Sequence, residues 1–139
     1  MKIEIETKVA APASEAWRAW TTPADIVQWN TASPDWHTTR AEVDLRVGGA
    51  FTARMEARNG NIGFDFSGTY TRVEAPSLLE YRLEDDRLVR VEFRDGPDGT
   101  TVRETFEAES GNAAEVQRQG WQAILDNFAR HVEGRTEDE

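Results

Sequence analysis

The segment from Trp29 to Tyr70 constrains the fold of this chain most strongly, because alternating apolar and polar residues stand there between glycine-containing turns. A first alternating run, 41–47, ends at Gly48-Gly49, where a tight turn or bulge predicts a positive φ at one of the two glycines. A second run, 51–57, ends at Asn59-Gly60. Alternation with a period of two predicts strands that have one buried face. The dipeptide Asn-Gly between such runs is a strong hairpin signal. We therefore expect neighbouring antiparallel strands here.

The same pattern continues beyond this segment. Turn-forming residues at 75–77, 85–86 and 95–99 separate further alternating runs, which predict strands around residues 64–70, 79–83, 89–93 and 102–106. Gly68 inside one of these runs indicates a bend or a close backbone approach. Ile3, Ile5 and Val9 alternate with charged residues in an N-terminal strand. Consecutive hairpins form an antiparallel meander with one covered face.

Helices are predicted at three places. Ala13 or Ser14 begins a short helix, and Pro23 suits the first turn of a second, which ends at Trp29. Residues 30–39 are expected to form a loop. Residues 113–132 form a long helix with one apolar face, on which Gly120 suggests that another backbone approaches closely. Residues 133–139 are polar and charged, which predicts a disordered tail.

Length and composition narrow the classes of function. A chain of 139 residues is long enough for one domain, 1–139, with a single core. The net charge of −10 disfavours nucleic acid and anionic lipid surfaces as partners. No cysteine is present, and His37 and His131 are far apart, so we expect no metal site and no cofactor. No apolar run is long enough to span a bilayer or to form a signal peptide, so we expect a cytoplasmic protein without membrane insertion.

A family resemblance rests on several short motifs: Pro12-x4-Trp17, Trp20-Thr21-x-Pro23, Trp29, DLRVGG at 44–49, FSGTY at 66–70 and QGW at 119–121. With these motifs the chain resembles the START-like superfamily, which includes the birch pollen allergens and polyketide cyclases. More narrowly, it is similar to the branch named after the activator of the heat-shock-protein-90 ATPase. Asn30-Thr31-Ala32 replaces the aromatic residue and proline common in that branch, which implies a more polar pocket entrance.

The resemblance implies an α+β helix-grip fold, in which a seven-stranded antiparallel curved sheet and two short helices accompany the long C-terminal helix. It also implies a cavity between sheet and helix. Strand alternation supplies inward-facing residues for such a cavity, and the loop and helix supply others. The predicted ligand-contacting residues are Trp29, Trp36, His37, Phe51, Met55, Phe64, Phe66, Tyr81, Val91, Phe93, Glu104, Gln117, Trp121 and Leu125. The alternative is that these side chains fill a solid core.

Two predicted inward residues are polar. Gln117 lies on the apolar face of the helix, and Glu104 lies between Val102 and Phe106 on the inward row of the last strand. A buried carboxyl group has a raised pKa and is a candidate acid, base or ligand anchor. Asp35, Trp36 and His37 form the only local cluster of catalytic residue types, with no visible nucleophile. Each of these groups can equally be structural.

We therefore expect a protein that binds a hydrophobic or aromatic small molecule, such as a lipid, polyketide or flavonoid, and the sequence demonstrates no catalysis. One alternative is a cyclase or hydrolase that uses Glu104, Asp35 or His37. Another is a co-chaperone or other interaction domain, as the branch name suggests. In the namesake that role depends on an additional N-terminal domain, and this sequence contains only the START-like unit, so we expect no chaperone binding.

Overall fold

The computed structural model describes residues 2–111 and 113–138. Within them lie seven strands and three helices. The strands are β1 (Lys2–Val9), β2 (Trp36–Val43), β3 (Ala50–Ala57), β4 (Gly63–Glu74), β5 (Leu78–Leu83), β6 (Leu88–Gly96) and β7 (Gly99–Glu107). The helices are α1 (Ala13–Thr21), α2 (Pro23–Trp29) and α3 (Ala114–Asp138). The two short helices thus begin and end where the sequence predicts.

The strands form one sheet in the order β1-β7-β6-β5-β4-β3-β2, and every neighbouring pair is antiparallel. Strands β2 to β7 pair in chain order, because short turns can join only adjacent antiparallel strands. β1 adds to the free edge of β7 and so lies at the opposite end of the sheet from β2. The predicted α+β helix-grip fold is confirmed: the sheet curves around the long helix α3.

The core lies between the inner face of this sheet and the three helices. Phe128 and Leu125 of α3 are fully buried, and Trp20, Trp29 and Phe128 form a cluster of rings with centroids 4.8–5.0 Å apart. Burying one such large side chain contributes roughly 1.5–3 kcal/mol. The indole nitrogen of Trp29 donates a hydrogen bond to the Ala19 carbonyl oxygen at 3.0 Å, which joins α2 to α1.

The second strand begins earlier than predicted. The sequence predicted a loop over residues 30–39 and a strand over 41–47, whereas β2 spans Trp36–Val43. Leu45 and Val47 lie in the connection to β3 and are 38% and 63% exposed. The alternation of Leu45 and Val47 was misleading because the pairing of β2 with β3 ends at the Val43–Phe51 pair. Nearer the start of β2, the register shifts between Thr38 and Arg40.

The long helix extends further than predicted. The sequence predicted that it ends at Val132 and that 133–139 form a disordered tail, whereas α3 continues to Asp138. The last residue, Glu139, lies outside the described residues. Adding a residue to an existing helix requires no new nucleation, so a polar segment without proline can prolong it. The carboxylate of Glu133 also accepts a hydrogen bond from the backbone nitrogen of Ala10 at 3.0 Å.

Two glycine predictions are confirmed. Gly48 has a φ of 86°, which residues with a Cβ rarely adopt. At Gly68 a Cβ would stand 2.8 Å from the ring of Phe51 and 2.8 Å from the Arg82 carbonyl oxygen. The absence of a side chain at Gly68 therefore lets the Phe51 ring lie against the backbone of β4.

Among the described residues, none of the helices combines the length and the apolar character that crossing a membrane requires.

Candidate functional site

A cavity of about 380 Å³ lies between the inner face of the sheet and helices α2 and α3, and it opens to solvent on one side. Strands β3 and β4 supply most of one wall, and α3 supplies the other. Its lining residues are Trp20, Ile26, Trp29, Asn30, Ala32, Ser33, Trp36, Glu42, Val43, Phe51, Thr52, Ala53, Met55, Phe64, Phe66, Tyr70, Tyr81, Glu104, Gly120, Trp121 and Ile124. Most of this surface is apolar, and much of it is aromatic.

Aromatic rings set at steep angles to one another form the walls. Phe51 packs edge-on against Tyr81 with centroids 4.8 Å apart, and Phe66 packs edge-on against Trp121 at 6.2 Å. Trp121 in turn stacks on Phe106, with centroids 4.0 Å apart and ring planes within 8°. Because Phe106 is fully buried in β7, this stack fixes the position of the Trp121 ring beside the cavity.

The rim next to α2 is held by hydrogen bonds from two directions. The Thr38 hydroxyl donates to the Asn30 carbonyl oxygen at 2.6 Å, and the Thr31 hydroxyl donates to the Trp36 carbonyl oxygen at 3.0 Å. From α3, the Asn127 amide nitrogen donates to the Thr31 carbonyl oxygen at 2.5 Å. These bonds tie the loop after α2 to both β2 and α3, so the cavity entrance has a defined shape.

A buried polar pair also joins α2 to α3. His131 Nε2 lies 2.9 Å from Asp25 Oδ1, and the two side chains are 18% and 11% exposed. The pair was not predicted, because the two residues are 106 positions apart in the chain and neither stands in a recognisable motif. It lies behind the cavity wall and holds α2 against the long helix.

Glu104 is the one strongly buried carboxyl group of the cavity lining. It sits in the middle of β7, opposite Ile5 of β1 and Val91 of β6, and is 5% exposed. Burial raises the pKa of this carboxyl group from 4.5 to about 8, so that it is mostly protonated at pH 7. The prediction that Glu104 points inward and has a raised pKa is confirmed.

The Glu104 carboxyl group faces open space. Among the described residues, no hydrogen bond to it is found, although every fully enclosed side-chain nitrogen or oxygen has a hydrogen-bond partner. Its oxygens are therefore accessible from the cavity. Tyr81 lies close enough for Glu104 to contribute to its raised pKa, after the larger effect of burial. Burial also raises the pKa of Tyr70 to about 12, so both phenols are neutral at physiological pH.

The structure brings most of the predicted ligand-contacting residues together. Nine of them line the cavity: Trp29, Trp36, Phe51, Met55, Phe64, Phe66, Tyr81, Glu104 and Trp121. Three others, Val91, Phe93 and Leu125, are at most 3% exposed and belong to the closed core beside it. Phe93 packs there against Trp17 and Trp20. Whether the lining residues contact a ligand remains a prediction.

Gln117 lies elsewhere. It is absent from the cavity lining, and its side-chain amide forms two bonds with the backbone of Glu109: Oε1 accepts from the nitrogen at 2.6 Å, and Nε2 donates to the oxygen at 2.9 Å. The residue thus fastens the start of α3 to the segment after β7. The apolar face of the helix begins later than predicted, and Val116 is 65% exposed.

The local cluster of Asp35, Trp36 and His37 is divided by the start of β2. Trp36 faces the cavity and packs against Phe64, with centroids 5.9 Å apart. His37 is the next residue of the strand, so its side chain points to the other face of the sheet. Asp35 is exposed, and neither it nor His37 lines the cavity. The two residues are therefore not placed to act on a molecule inside it.

Gly120 has a different role from the predicted one. A Cβ built at this position would meet no atom within 4 Å, so no other backbone approaches it. It instead lines the cavity from α3. Asn30 and Ala32 line the cavity at its predicted entrance, whereas sequence reasoning missed the lining residues Trp20, Ile26, Glu42, Val43, Thr52 and Tyr70. Tyr70 could have been found, because it shares a strand face with Phe64 and Phe66.

Among the residues whose side chains the structure describes, no group of three or more His, Asp or Glu is arranged to hold a metal ion.

Comparison with known proteins agrees with this architecture. Residues 10–133 match the family model described as activator of Hsp90 ATPase homolog 1-like protein. The solution structure of an AHSA1-like protein from Aeromonas hydrophila has 50% sequence identity and a TM-score of 0.93, over 98% of this chain and 94% of that chain. No curated protein matches the chain.

Two further solved structures extend the comparison. A protein from Cytophaga hutchinsonii has 41% identity and a TM-score of 0.83, over 99% of this chain and 96% of that one. A protein from Chromobacterium violaceum, with 23% identity and a TM-score of 0.86 over 96% and 98%, supports the fold alone. The family match over most of the chain, the identity to the Aeromonas protein and the shared helix-grip architecture lead to one conclusion: this chain belongs to the family of activator of Hsp90 ATPase homolog 1-like proteins.

Proposed function

We propose that this protein binds a hydrophobic or aromatic small molecule in the cavity between its sheet and α3. The observation that carries the proposal is an open cavity of about 380 Å³, apolar and rich in aromatic rings, that contains one buried carboxyl group with no hydrogen-bond partner among the described residues. Ligand sites in proteins are typically clefts of roughly 300–1,000 Å³ with apolar walls and a few convergent polar groups. The volume and the lining both fit this description.

The packing around the cavity argues against a simple packing defect. Leu125, Phe128 and Phe106 beside it are at most 1% exposed, so the neighbouring core is closely filled. Gly120, by contrast, leaves space in the cavity wall although glycine in a helix costs about 1 kcal/mol relative to alanine. An alanine would fit there without a clash, and its absence keeps the cavity wide.

Intrinsic tryptophan fluorescence offers a direct test, because Trp20, Trp29, Trp36 and Trp121 line the cavity. We would titrate the protein with flavonoids, sterols and fatty acids and measure thermal shifts in parallel. We expect at least one class to change the fluorescence and to raise the melting temperature.

The variant Met55→Arg places a charged side chain in the cavity and should weaken that binding. Leu88→Arg is the matched control, because Leu88 is 47% exposed and does not line the cavity. Trp121→Ala should also weaken binding, although it removes the stack on Phe106 and its stability must be measured. A protein that responds to no apolar class by either method would contradict the proposal.

A second candidate function is general acid–base catalysis on the bound molecule. It is favoured by the pKa of about 8 that burial gives to Glu104, since an acid or base is most effective when its pKa is near the working pH. A cyclase or hydrolase of this kind should lose turnover in Glu104→Gln while it retains ligand binding. Unchanged turnover in that variant would exclude Glu104 as the catalytic group.

A chaperone interaction is the third candidate, since the family description refers to the Hsp90 ATPase. A pull-down with purified Hsp90 tests it, and we expect no retention above that of an unrelated protein of similar charge.

A further inference from the structure

The charges that line the cavity all have the same sign. Glu104 lies deep in the cavity and Glu42 is exposed at its rim, whereas the described residues that line the cavity include no Lys, Arg or His. The whole chain has a net charge of −10. An anionic ligand would therefore find no cationic partner and would be repelled by both carboxylates when these are ionised. The lining disfavours fatty acids and phosphorylated molecules.

The burial of Glu104 favours a ligand that can pair with its carboxyl group. The residue is 5% exposed, and its carboxyl group receives no hydrogen bond from the described residues and is open to the cavity. A buried polar group without a partner is costly, and the cost is greatest when the group is charged. A ligand that brings a donor or a positive charge to this point would remove that cost, whereas a purely apolar ligand would leave it in place.

The surrounding rings favour a positive charge in particular. Phe51, Phe66, Tyr81 and Trp121 line the cavity together with Glu104, and their mutual edge-on packing leaves ring faces turned in several directions. The face of an aromatic ring is electronegative and attracts cations, most strongly when the pair is desolvated. Aromatic walls around a single carboxylate are a suitable environment for an organic ammonium group.

We propose that the ligand of this cavity is a hydrophobic organic cation, an amine or quaternary ammonium on an apolar body, whose nitrogen pairs with Glu104. This inference rests on the proposed function, since it assumes that the cavity binds a small molecule. The aromatic walls bury the apolar body, and the carboxylate of Glu104 neutralises the charge. Recognition would thus depend on Glu104 for charge and on the rings for shape.

The proposal predicts that binding expels a proton. In the empty cavity the pKa of Glu104 is about 8, so at pH 7 about 0.9 of the carboxyl groups are protonated. A permanent cation beside the group favours its ionised form, and the proton passes to the buffer. The other titratable groups of the lining are Glu42, Tyr70 and Tyr81. Both tyrosines have raised pKa values and stay neutral, and Glu42 is exposed at the rim.

The test compares three probes that share one apolar body: phenylbutyl-trimethylammonium, phenylpentanol and phenylpentanoate. Affinities are measured by calorimetry at pH 7, in two buffers with different heats of ionisation. We expect the cation to bind at least tenfold more tightly than the alcohol, with the carboxylate weakest. We also expect release of about 0.9 proton per cation bound, which follows from the pKa of Glu104, and little release above pH 9.

The variant Glu104→Gln separates the proposal of a cationic ligand from the more general proposal that the cavity binds a small molecule. It should lose the proton release and most of the preference for the cation, since only the attraction of the rings remains, and it should still bind the alcohol. If the alcohol binds wild-type protein as tightly as the cation, or if no proton is released, the cationic ligand is excluded while the proposed function stands. If none of the three probes binds, the cationic ligand is excluded, and the proposed function fails as well only if the panel of flavonoids, sterols and fatty acids also gives no response. Proton release by the wild-type protein decides the question even if the variant does not fold.

Discussion

Glu104 should make the stability of this protein fall as the pH rises. Its folded-state pKa of about 8 is higher than the ordinary value of 4.5, because burial disfavours the charged form. The folded protein therefore binds a proton more tightly than the unfolded chain does. The resulting stabilisation is fully present below pH 4.5, decreases as the pH rises, and is lost above pH 8.

The magnitude follows from the difference between the two pKa values. One pKa unit corresponds to about 1.4 kcal/mol, so the shift is equivalent to about 5 kcal/mol in total. Linkage then gives a loss of roughly 2 to 3 kcal/mol between pH 5 and pH 7, and of about 4 kcal/mol between pH 5 and pH 9. Other carboxylates titrate over part of this range, so the effect of Glu104 must be isolated by a variant.

The assay is urea unfolding at pH 5, 7 and 9 for the wild-type protein and for Glu104→Gln, which keeps the shape but cannot ionise. The stability of the variant relative to wild type should rise by about 4 kcal/mol across this range. Glu84→Gln removes one charge at an exposed position in the β5–β6 turn and serves as the control for net charge. If wild type and Glu104→Gln change in parallel with pH, the Glu104 carboxyl group is not buried as described.

Three further predictions concern the cavity and the contacts around it. Gly120→Ala should increase the free energy of unfolding by about 0.5–1 kcal/mol, because the new methyl group meets no atom within 4 Å, and should weaken binding of phenylpentanol. A lower stability in urea unfolding would contradict this. Gly68→Ala should instead destabilise by about 1–3 kcal/mol, since its Cβ would stand 2.8 Å from the Phe51 ring; unchanged stability would contradict that contact. A double-mutant cycle of Asp25→Ala and His131→Ala should give a coupling energy of about 1 kcal/mol or more, whereas additive effects would mean that the 2.9 Å contact contributes nothing.

Much of the fold could be predicted because its signals are local. Alternation in β3, β4 and β7, the Asn59-Gly60 turn and the apolar face of α3 all depend on residues near one another in the chain. A positive φ at Gly48 or Gly49 was predictable for the same reason, and the structure has it at Gly48. The inward direction of Glu104 followed from the same alternation with Val102 and Phe106.

Errors arose where a local pattern competed with a distant contact. Leu45 and Val47 alternate like strand residues, but the pairing of β2 with β3 ends before them and leaves them exposed. Gln117 falls on the predicted apolar face, but its amide reaches the backbone of Glu109 and closes the connection between β7 and α3. The end of the pairing with β3 decided the exposure of Leu45 and Val47, and the backbone of Glu109 decided the position of the Gln117 side chain.

The sequence by itself determined the order of the elements, the antiparallel meander and the face of each strand that turns inward, because each depends on a period of two or 3.6 residues. Only the tertiary structure decided which inward residues line a cavity and which fill the core. Val91 and Glu104 are paired neighbours on β6 and β7, yet the first is sealed in the core and the second faces the cavity. The difference depends on the curvature of the sheet and the distance at which α3 crosses it, and both result from the packing of elements far apart in the chain.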